Sequence, residues 1–165
     1  SAKQRLALLE AGIGATPGLI ADDRELRRDG PSYSVDTLAE LRGEVGEQAR
    51  LVMAIGFDAF LRLAQWHQPE RLFEFAHLVV IARPGYEDPL PASLMELVAH
   101  RRVDSVDALM HRPCGGYLPL ELPSLMAISA TYIRERLEAG KSVRYLLPEA
   151  VELAITQDGL YRQRE

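Results

Sequence analysis

Hydroxyls and an arginine at the start of one predicted helix have the chemistry to hold a nucleotide's phosphates. The segment 128–136 reads ISATYIRER, with Ser129 and Thr131 where the helix begins. Its first charged side chain is Arg134, although helix starts favour acidic residues because their unpaired N–H groups and the dipole make that end positive. Such a start, after the apolar Ile128, is typical of an anion site. An ordinary capped helix with a solvated arginine fits the same spacing, so both interpretations remain open.

Two further segments carry side chains suited to a ribose and to a ring. Gly56 permits close approach of a ligand to the backbone, and Asp58 could accept a hydrogen bond from a ribose hydroxyl. The alternative is that Asp58 caps the helix it opens. Trp66 offers a flat face for stacking, and N–H groups near His67 could bind a carboxylate. The alternative is that Trp66 covers the core while His67 lies on the surface.

Two other positions could meet an anion. The segment PSYS, 31–34, brings Tyr33 and Ser34 to a second predicted helix start, where Ser34 is expected to be the cap. In the alternative interpretation this is a capped helix with Tyr33 packed on the sheet. Arg83 follows a predicted strand, where its guanidinium could meet a phosphate. Taken alone, such an arginine is more often a surface residue.

Strands that alternate with helices must position these side chains, which predicts a parallel sheet with helices on both faces. The predicted strands are Leu19–Ala21, Leu51–Gly56, His77–Ala82 and Leu125–Ile128. The predicted helices are Ser1–Glu10, with Gly12 and Gly14 closing it, one from Ser34 onward, Asp58–Ala64, Pro69–Ala76, Pro91–Arg102, Thr131–Ala139 and Pro148–Gln157. The stretch 111–123 is rich in glycine and proline and receives no prediction. Ligands of such folds lie at the carboxyl ends of the strands, where the candidate residues are.

Composition limits the class of protein. A chain of 165 residues, 47% of them hydrophobic, predicts one globular domain. A net charge of −5 with a pI near 5.4 argues against non-specific binding to nucleic acid or membranes. The longest apolar run, Leu78–Ala82, is too short to span a bilayer. The single cysteine, Cys114, excludes an internal disulfide and fits the cytoplasm. The four histidines show no metal-ligand spacing.

Taken in order, the segments resemble a known family. They are RELRRDGPSYSVDTL (24–38), AIGFDAF (54–60), WH (66–67), HLVVIARPGY (77–86), ISATYIRERL (128–137) and LLPEAVELAITQDGLYR (146–162). Together they resemble bacterial nicotinate-nucleotide adenylyltransferases of the nucleotidyltransferase superfamily, which have a Rossmann-like fold. The resemblance implies adenylyl transfer from ATP to nicotinate mononucleotide, giving deamido-NAD and pyrophosphate in NAD biosynthesis. It also implies in-line attack on the α-phosphorus without a covalent intermediate, with Mg²⁺ carried by ATP.

The resemblance assigns the residues that bind the nicotinate nucleotide. Trp66 would stack on the nicotinate ring, and backbone N–H groups near Ser34 and His67 would bind its carboxylate. Tyr33 belongs to the same set, and Arg83 is a weaker candidate in the same cleft. The family commonly has threonine at the position of Ser34, a change of little consequence if the ligand is bound by the main-chain N–H group.

The resemblance also assigns the ATP side. Gly56 and Asp58 would contact the adenosine half. Ile128, Ser129 and Thr131 would line the ATP site. Arg134 would complete this set by contacting the phosphates. No residue of the chain is assigned as catalytic, because no histidine precedes His67. The family's catalytic histidines belong to a G-x-F-D-P-x-H-x-G-H loop after its first strand.

That departure predicts a single nucleotidyltransferase domain, 1–165, that is incomplete at its N-terminus. The unmatched part corresponds to one strand–helix–strand unit of roughly 30 residues or more. We expect the sheet to keep an unpaired edge and these residues alone to be inactive; pyrophosphate release at the complete enzyme's rate would contradict this. Two alternatives remain, a sister adenylyltransferase for nicotinamide mononucleotide or phosphopantetheine, and a non-catalytic nucleotide-binding module. The sequence does not specify an oligomeric state.

Overall fold

Three parallel strands form the sheet of the computed structural model, which describes residues 1–81, 89–122 and 128–161. They are β1 (Val52–Gly56), β2 (His77–Ile81) and β3 (Tyr117–Leu120), hydrogen-bonded in the order β1-β2-β3. Gly56 is paired with Ile81, and Ile81 with Leu120, so the carboxyl ends of the strands meet at one edge. With helices flanking it, this sheet confirms the predicted Rossmann-like α/β class.

The helices connect and follow the strands. They are α1 (Ala2–Ile13), α2 (Arg24–Arg27), α3 (Ser34–Val45), α4 (Phe57–Phe60), α5 (Pro69–Phe75), α6 (Ala92–Val98), α7 (Val106–Met110), α8 (Ala130–Glu138) and α9 (Glu149–Gln157), with a 3-10 helix at Leu63–Gln65. No helix among the described residues combines the length and hydropathy that a membrane crossing requires.

The chain forms two compact units. One consists of residues Asp29–Ala127 and contains the sheet. Its core lies on one face of the sheet, where Leu78 and Val80 of β2 pack with residues of the flanking helices, including Val35, Leu72 and Phe73. A two-residue strand period places Leu78 and Val80 on the same side, as this burial requires.

The other unit consists of Ser1–Arg28 together with Ile128–Glu165. Here α1 packs against α9, and Gly12 faces Val151, where an added Cβ would make an ordinary contact of 3.4 Å with Cγ2. The expectation of a single domain is not tested by this grouping and stays a prediction.

Two strand predictions were wrong or incomplete. Leu19–Ala21 is not a strand; Ile20 is 87% exposed, and no described strand lies beside it to supply the hydrogen bonds that a strand needs. The unassigned stretch 111–123 contains β3, whose edge toward β2 begins where the Leu78 N–H donates to the Gly116 carbonyl. Its glycines and proline concealed the strand. The predicted strand residues 125–127 lie outside the described residues, and Ile128 belongs to no strand.

Two helix predictions were too long. The predicted helix Asp58–Ala64 is the short α4 followed by the 3-10 helix, so the chain turns twice within nine residues of β1. The predicted helix Pro91–Arg102 ends at Val98, because the chain then runs toward the sheet and Arg102 forms a bridge with Tyr117. Both differences arise from packing that periodicity alone does not show.

Candidate functional site

An open recess of about 350 Å³ joins two segments that are distant in the sequence. Its lining is Ser32, Tyr33, Ser34, Gln65, Trp66 and His67. The structure therefore brings together four of the residues predicted to face a nicotinate nucleotide, although sequence spacing treated them as two separate features. Arg83, the fifth, lies outside the described residues.

The start of α3 forms one wall of this recess. Tyr33 is the N-cap, in extended conformation, and its carbonyl accepts hydrogen bonds from the N–H groups of Asp36 and Thr37. The expectation that Ser34 caps the helix was wrong, because the helix already begins at Ser34. The side chain of the N-cap residue Tyr33 makes no capping hydrogen bond. A helix start is positively polarised and suits an anionic group.

Trp66 forms the opposite wall and serves two purposes. Its side chain is half-buried and packs against the hydrophobic core. It also lines the recess. The interpretation of Trp66 as a core cover is therefore confirmed, and its role as a stacking surface stays a prediction. Support from the core fixes the ring, and a fixed aromatic surface loses little entropy when a ligand ring stacks on it.

His67 is exposed but not isolated. Its imidazole stacks on the Tyr33 ring, with centroids 4.2 Å apart and planes inclined by 28°. Its Nε2 lies 3.1 Å from Nε2 of Gln68. The stack links the loop before α3 to the loop after the 3-10 helix, which are the two walls of the recess. Sequence reasoning did not identify this contact, because neither residue carries a signal for the other.

Gly56 and Asp58 lie at the junction of β1 and α4, at the carboxyl edge of the sheet. Gly56 ends the strand and is also the N-cap of α4, and Asp58 is the second residue of the helix. The alternative role for Asp58 as the cap was wrong, since the helix begins directly where the strand ends. Its carboxylate in the first turn complements the helix dipole.

The second predicted anion site is the start of α8, in the other compact unit. Ser129 is its N-cap, and its Oγ accepts a hydrogen bond from the Tyr132 N–H at 3.1 Å. Arg134 folds back over this first turn, where Nε donates to the Ala130 carbonyl and Nη2 to the Thr131 hydroxyl. Thr131 is thus inside the helix and is not the cap. Ile128 is half-buried just before it.

The neighbouring Arg136 makes different contacts. Its Nε and Nη2 donate to the Ser142 carbonyl at 2.9 and 2.7 Å, and its guanidinium lies over the Tyr132 ring. It therefore ties the end of α8 to the following loop. Of the two arginines, only Arg134 is turned toward the helix start. This is the arginine that the sequence predicted to contact a phosphate.

The described residues contain no group of three or more histidine, cysteine, aspartate or glutamate side chains arranged to hold a metal ion. A parallel sheet, an aromatic recess and a hydroxyl-capped helix start with an arginine together define a nucleotide-binding α/β protein. Comparison with known proteins makes this class more specific.

A protein of Chromohalobacter salexigens named "Probable nicotinate-nucleotide adenylyltransferase" is 62% identical over 161 residues, which cover 98% of this chain and 74% of the relative. A Pseudomonas fluorescens protein of the same name is 41% identical over 98% of this chain and 75% of its own length. The solved nicotinic acid mononucleotide adenylyltransferase of Plasmodium falciparum, complexed with NaAD, has a TM-score of 0.65. It is 15% identical, and the match covers 96% of this chain and 73% of that one.

No family model matches the chain. The identity and coverage of these relatives nevertheless show that the chain belongs to the nicotinate-nucleotide adenylyltransferase family, and the solved structure shows the fold. The chain spans about three quarters of the length of these relatives.

Proposed function

We propose that the recess beside Tyr33 and Trp66 binds nicotinate mononucleotide, the acceptor in adenylyl transfer from ATP. The observation that carries this proposal is that the recess joins an aromatic ring supported by the core to the start of α3, whose N-cap side chain makes no capping hydrogen bond. A pyridine ring stacks on Trp66, and its carboxylate takes hydrogen bonds from N–H groups near Ser34 and His67. Deamido-NAD and pyrophosphate are the products, and the pathway is NAD biosynthesis.

The residues of the chain act by binding and orientation. In the reaction an oxygen of the nicotinate nucleotide's phosphate attacks the α-phosphorus of ATP. A new P–O bond forms as the bond to the pyrophosphate oxygen breaks. Holding the acceptor in one orientation converts an encounter into an intramolecular step. Positive groups near the phosphates lower the barrier by stabilising the charge that develops there.

For ATP, we propose the contacts that the family resemblance assigns. The β1–α4 turn, with Gly56 and Asp58, contacts the adenosine half. The start of α8 holds the phosphates, with Ser129 and Thr131 at the helix end and Arg134 as the cation. Mg²⁺ enters with ATP, because this ion keeps much of its water and is usually bound through substrate phosphates. The cytoplasm is the proposed location, and a chain with one cysteine suits its reducing conditions.

Trp66 provides the test for the pyridine nucleotide, since it is the only tryptophan in the chain and its emission reports directly on the recess. We expect nicotinate mononucleotide to quench this emission saturably and to bind at least about tenfold more tightly than nicotinamide mononucleotide. Trp66→Phe removes the signal, and calorimetry on this variant measures the remaining affinity. Equal affinity for both nucleotides would contradict the substrate assignment in favour of a sister enzyme.

Arg134 and Arg136 form a matched pair for the phosphate contact. We expect Arg134→Gln to weaken ATP binding by roughly tenfold, the loss of one charge-assisted contact, without a change in thermal midpoint. Arg136→Gln should leave ATP affinity within about twofold but lower the midpoint, because it breaks the link to Ser142. Calorimetric titration with ATP and thermal unfolding measure both. The reverse pattern would move the phosphate site away from Arg134.

A further inference from the structure

A chain of hydrogen bonds ends on His67 at the wall of the recess. Arg71 Nη1 donates to Oε1 of Gln68 at 2.6 Å. The other end of the same amide, Nε2, lies 3.1 Å from Nε2 of His67. The opposite support of the imidazole is its stack on Tyr33. Two side chains of the α5 start and one of the α3 start therefore act on a single ring.

Chemistry determines which atoms donate and which accept in these hydrogen bonds. An arginine side chain has only donors, so the Gln68 atom that it contacts must be the carbonyl oxygen. The amide NH₂ must then face His67 and donate to its Nε2. In a neutral imidazole one nitrogen accepts and the other carries the proton, so the proton lies on Nδ1.

The other contacts of these residues hold the arrangement in place. Arg71 is anchored separately, with its guanidinium over the Phe75 ring and Nε 3.6 Å from Glu74. Tyr33 and His67 are both exposed and lie outside the hydrophobic core, so their stack contributes little to folding. Gln68 occupies a left-handed conformation, with φ 49°, where glycine or asparagine is more usual.

We propose that Arg71, Gln68 and Tyr33 are positioning residues that hold His67 with its proton on Nδ1, and that this sets the preference of the recess for an acid over an amide. This proposal rests on the proposed function. An Nδ1–H group donates to a carboxylate in a charge-assisted bond, which is stronger than the bond to a carboxamide oxygen. An unprotonated Nδ1 would repel the carboxylate and accept from the amide NH₂.

Gln68→Glu is the decisive variant, because it keeps the shape of the side chain and reverses its role. A carboxylate only accepts, so Arg71 can still donate to it, but His67 must now donate from Nε2. Nitrogen-15 NMR of the ligand-free chain at about pH 8.5, where an ordinary histidine is neutral, reports which nitrogen carries the proton. We expect Nδ1 in the original chain and Nε2 in the variant.

Binding measured through Trp66 then tests the consequence. We expect Gln68→Glu to reduce the preference for nicotinate over nicotinamide mononucleotide by at least about tenfold, with thermal midpoint unchanged. Gln65→Glu is the control. It adds the same charge to the lining of the recess and leaves the hydrogen bonds from Arg71 to Gln68 and from Gln68 to His67 intact. It should reduce the preference by only about two- to threefold, the effect of one exposed charge. Tyr33→Phe should retain the preference, and Tyr33→Ala should lose part of it.

Two results would overturn the proposal. One is a proton on Nε2 of His67 in the original chain. The other is an equal loss of preference in Gln68→Glu and Gln65→Glu, which would reduce the effect to charge. Failure of the original chain to bind either pyridine nucleotide would instead refute the proposed function, and with it the role of His67 in binding the carboxylate. The NMR result would still decide whether Arg71, Gln68 and Tyr33 fix the tautomer of His67.

Discussion

At the scale of single residues, the junction between β2 and β3 depends on one glycine. A Cβ at Gly116 would lie 2.6 Å from Cδ1 of Leu109 and 2.9 Å from Nδ1 of His77, closer than real contacts allow. The backbone N–H of Gly116 also donates to that Nδ1 at 3.0 Å. The glycine is thus required by close packing beside a buried histidine.

Gly116→Ala should therefore lower the free energy of unfolding by about 2–3 kcal/mol, the usual cost of overpacking. Gly43 is the matched control, because it is exposed within α3 and a Cβ added there would meet no described atom within 4 Å. Gly43→Ala should stabilise the chain by roughly 0.5–1 kcal/mol, since alanine loses less entropy in a helix. Urea unfolding of both variants measures the difference, and equal effects would contradict the packing argument.

His77 makes the stability of the chain depend on pH. It is 1% exposed, its Nε2 lies 2.7 Å from the Arg112 carbonyl, and its Nδ1 accepts from Gly116, so it is held as the neutral imidazole. Burial lowers its pKa below the ordinary value of 6.5. The unfolded chain therefore binds a proton more readily than the folded chain does.

The stability that His77 contributes should be complete above about pH 6.5 and should decline as the pH falls from there toward the lowered pKa. Thermal midpoints measured between about pH 8 and pH 5 follow this loss. His77→Gln can keep both hydrogen bonds but does not titrate, so its midpoint should fall less over the same range. A parallel pH profile in the two proteins would show that His77 is not responsible.

At the scale of elements, Arg42 connects three parts of the sheet-containing unit. Its guanidinium donates to the carbonyls of Phe75 at the end of α5 and of Gly46 and Ala49 after α3. A further bond reaches the carbonyl of Pro113 before β3. These are groups that helix ends and loops leave without partners inside their own elements.

Arg42→Ala should lower the free energy of unfolding by about 2–3 kcal/mol, because several carbonyls lose a charged donor at once. Arg42→Lys should recover only part of this, since an ammonium group cannot reproduce the fork of a guanidinium. Arg5→Ala, at an exposed position on α1, is the control and should change stability by less than about 0.5 kcal/mol. Urea unfolding gives all three values, and a loss in Arg5→Ala equal to that in Arg42→Ala would refute the role.

The same elements show which structural features a sequence can reveal. The apolar runs of β1 and β2 predicted parallel strands buried on both faces, because they carry their signal locally. For β2 this is confirmed, but for β1 the expected burial was wrong, since β1 lies at the edge of the described sheet and Val52 is 37% exposed. Leu19–Ala21 has a similar composition, yet a strand also needs a neighbour, which periodicity does not identify. β3 was hidden by Gly115, Gly116 and Pro119, although its pairing with β2 is regular.

The candidate site was predictable to a similar extent. Trp66-His67 and Tyr33-Ser34 were recognised because their residue types suit an anion and a ring. That they form one recess depends on the path of α3 and the 3-10 helix, which only the structure gives. Arg42 and Gln68 carried no signal, since a lone arginine on a helix and a glutamine before a proline look like solvated residues.

At the scale of the whole molecule, the net charge of −5 means that the surface as a whole does not attract anions. Anions can then bind only where local groups donate hydrogen bonds or carry positive charge. Non-specific binding to DNA requires a basic surface that displaces condensed counterions from the phosphates. An acidic chain lacks this long-range attraction, so a nucleotide has to be held by local donors, for which we have proposed the start of α8. Such donors recognise a single nucleotide but cannot follow the backbone of a duplex.

We therefore expect no saturable binding of a labelled duplex of about 20 base pairs at about 0.15 M salt, with any Kd weaker than the roughly 10⁻⁴ M limit of ordinary non-specific binding. Fluorescence anisotropy measures this directly, and ATP in the same buffer serves as the positive control. We expect Arg134→Gln to weaken the binding of ATP. Neither the original chain nor the variant should bind the duplex. Saturable duplex binding in the low micromolar range would show that a local basic surface overrides the net charge.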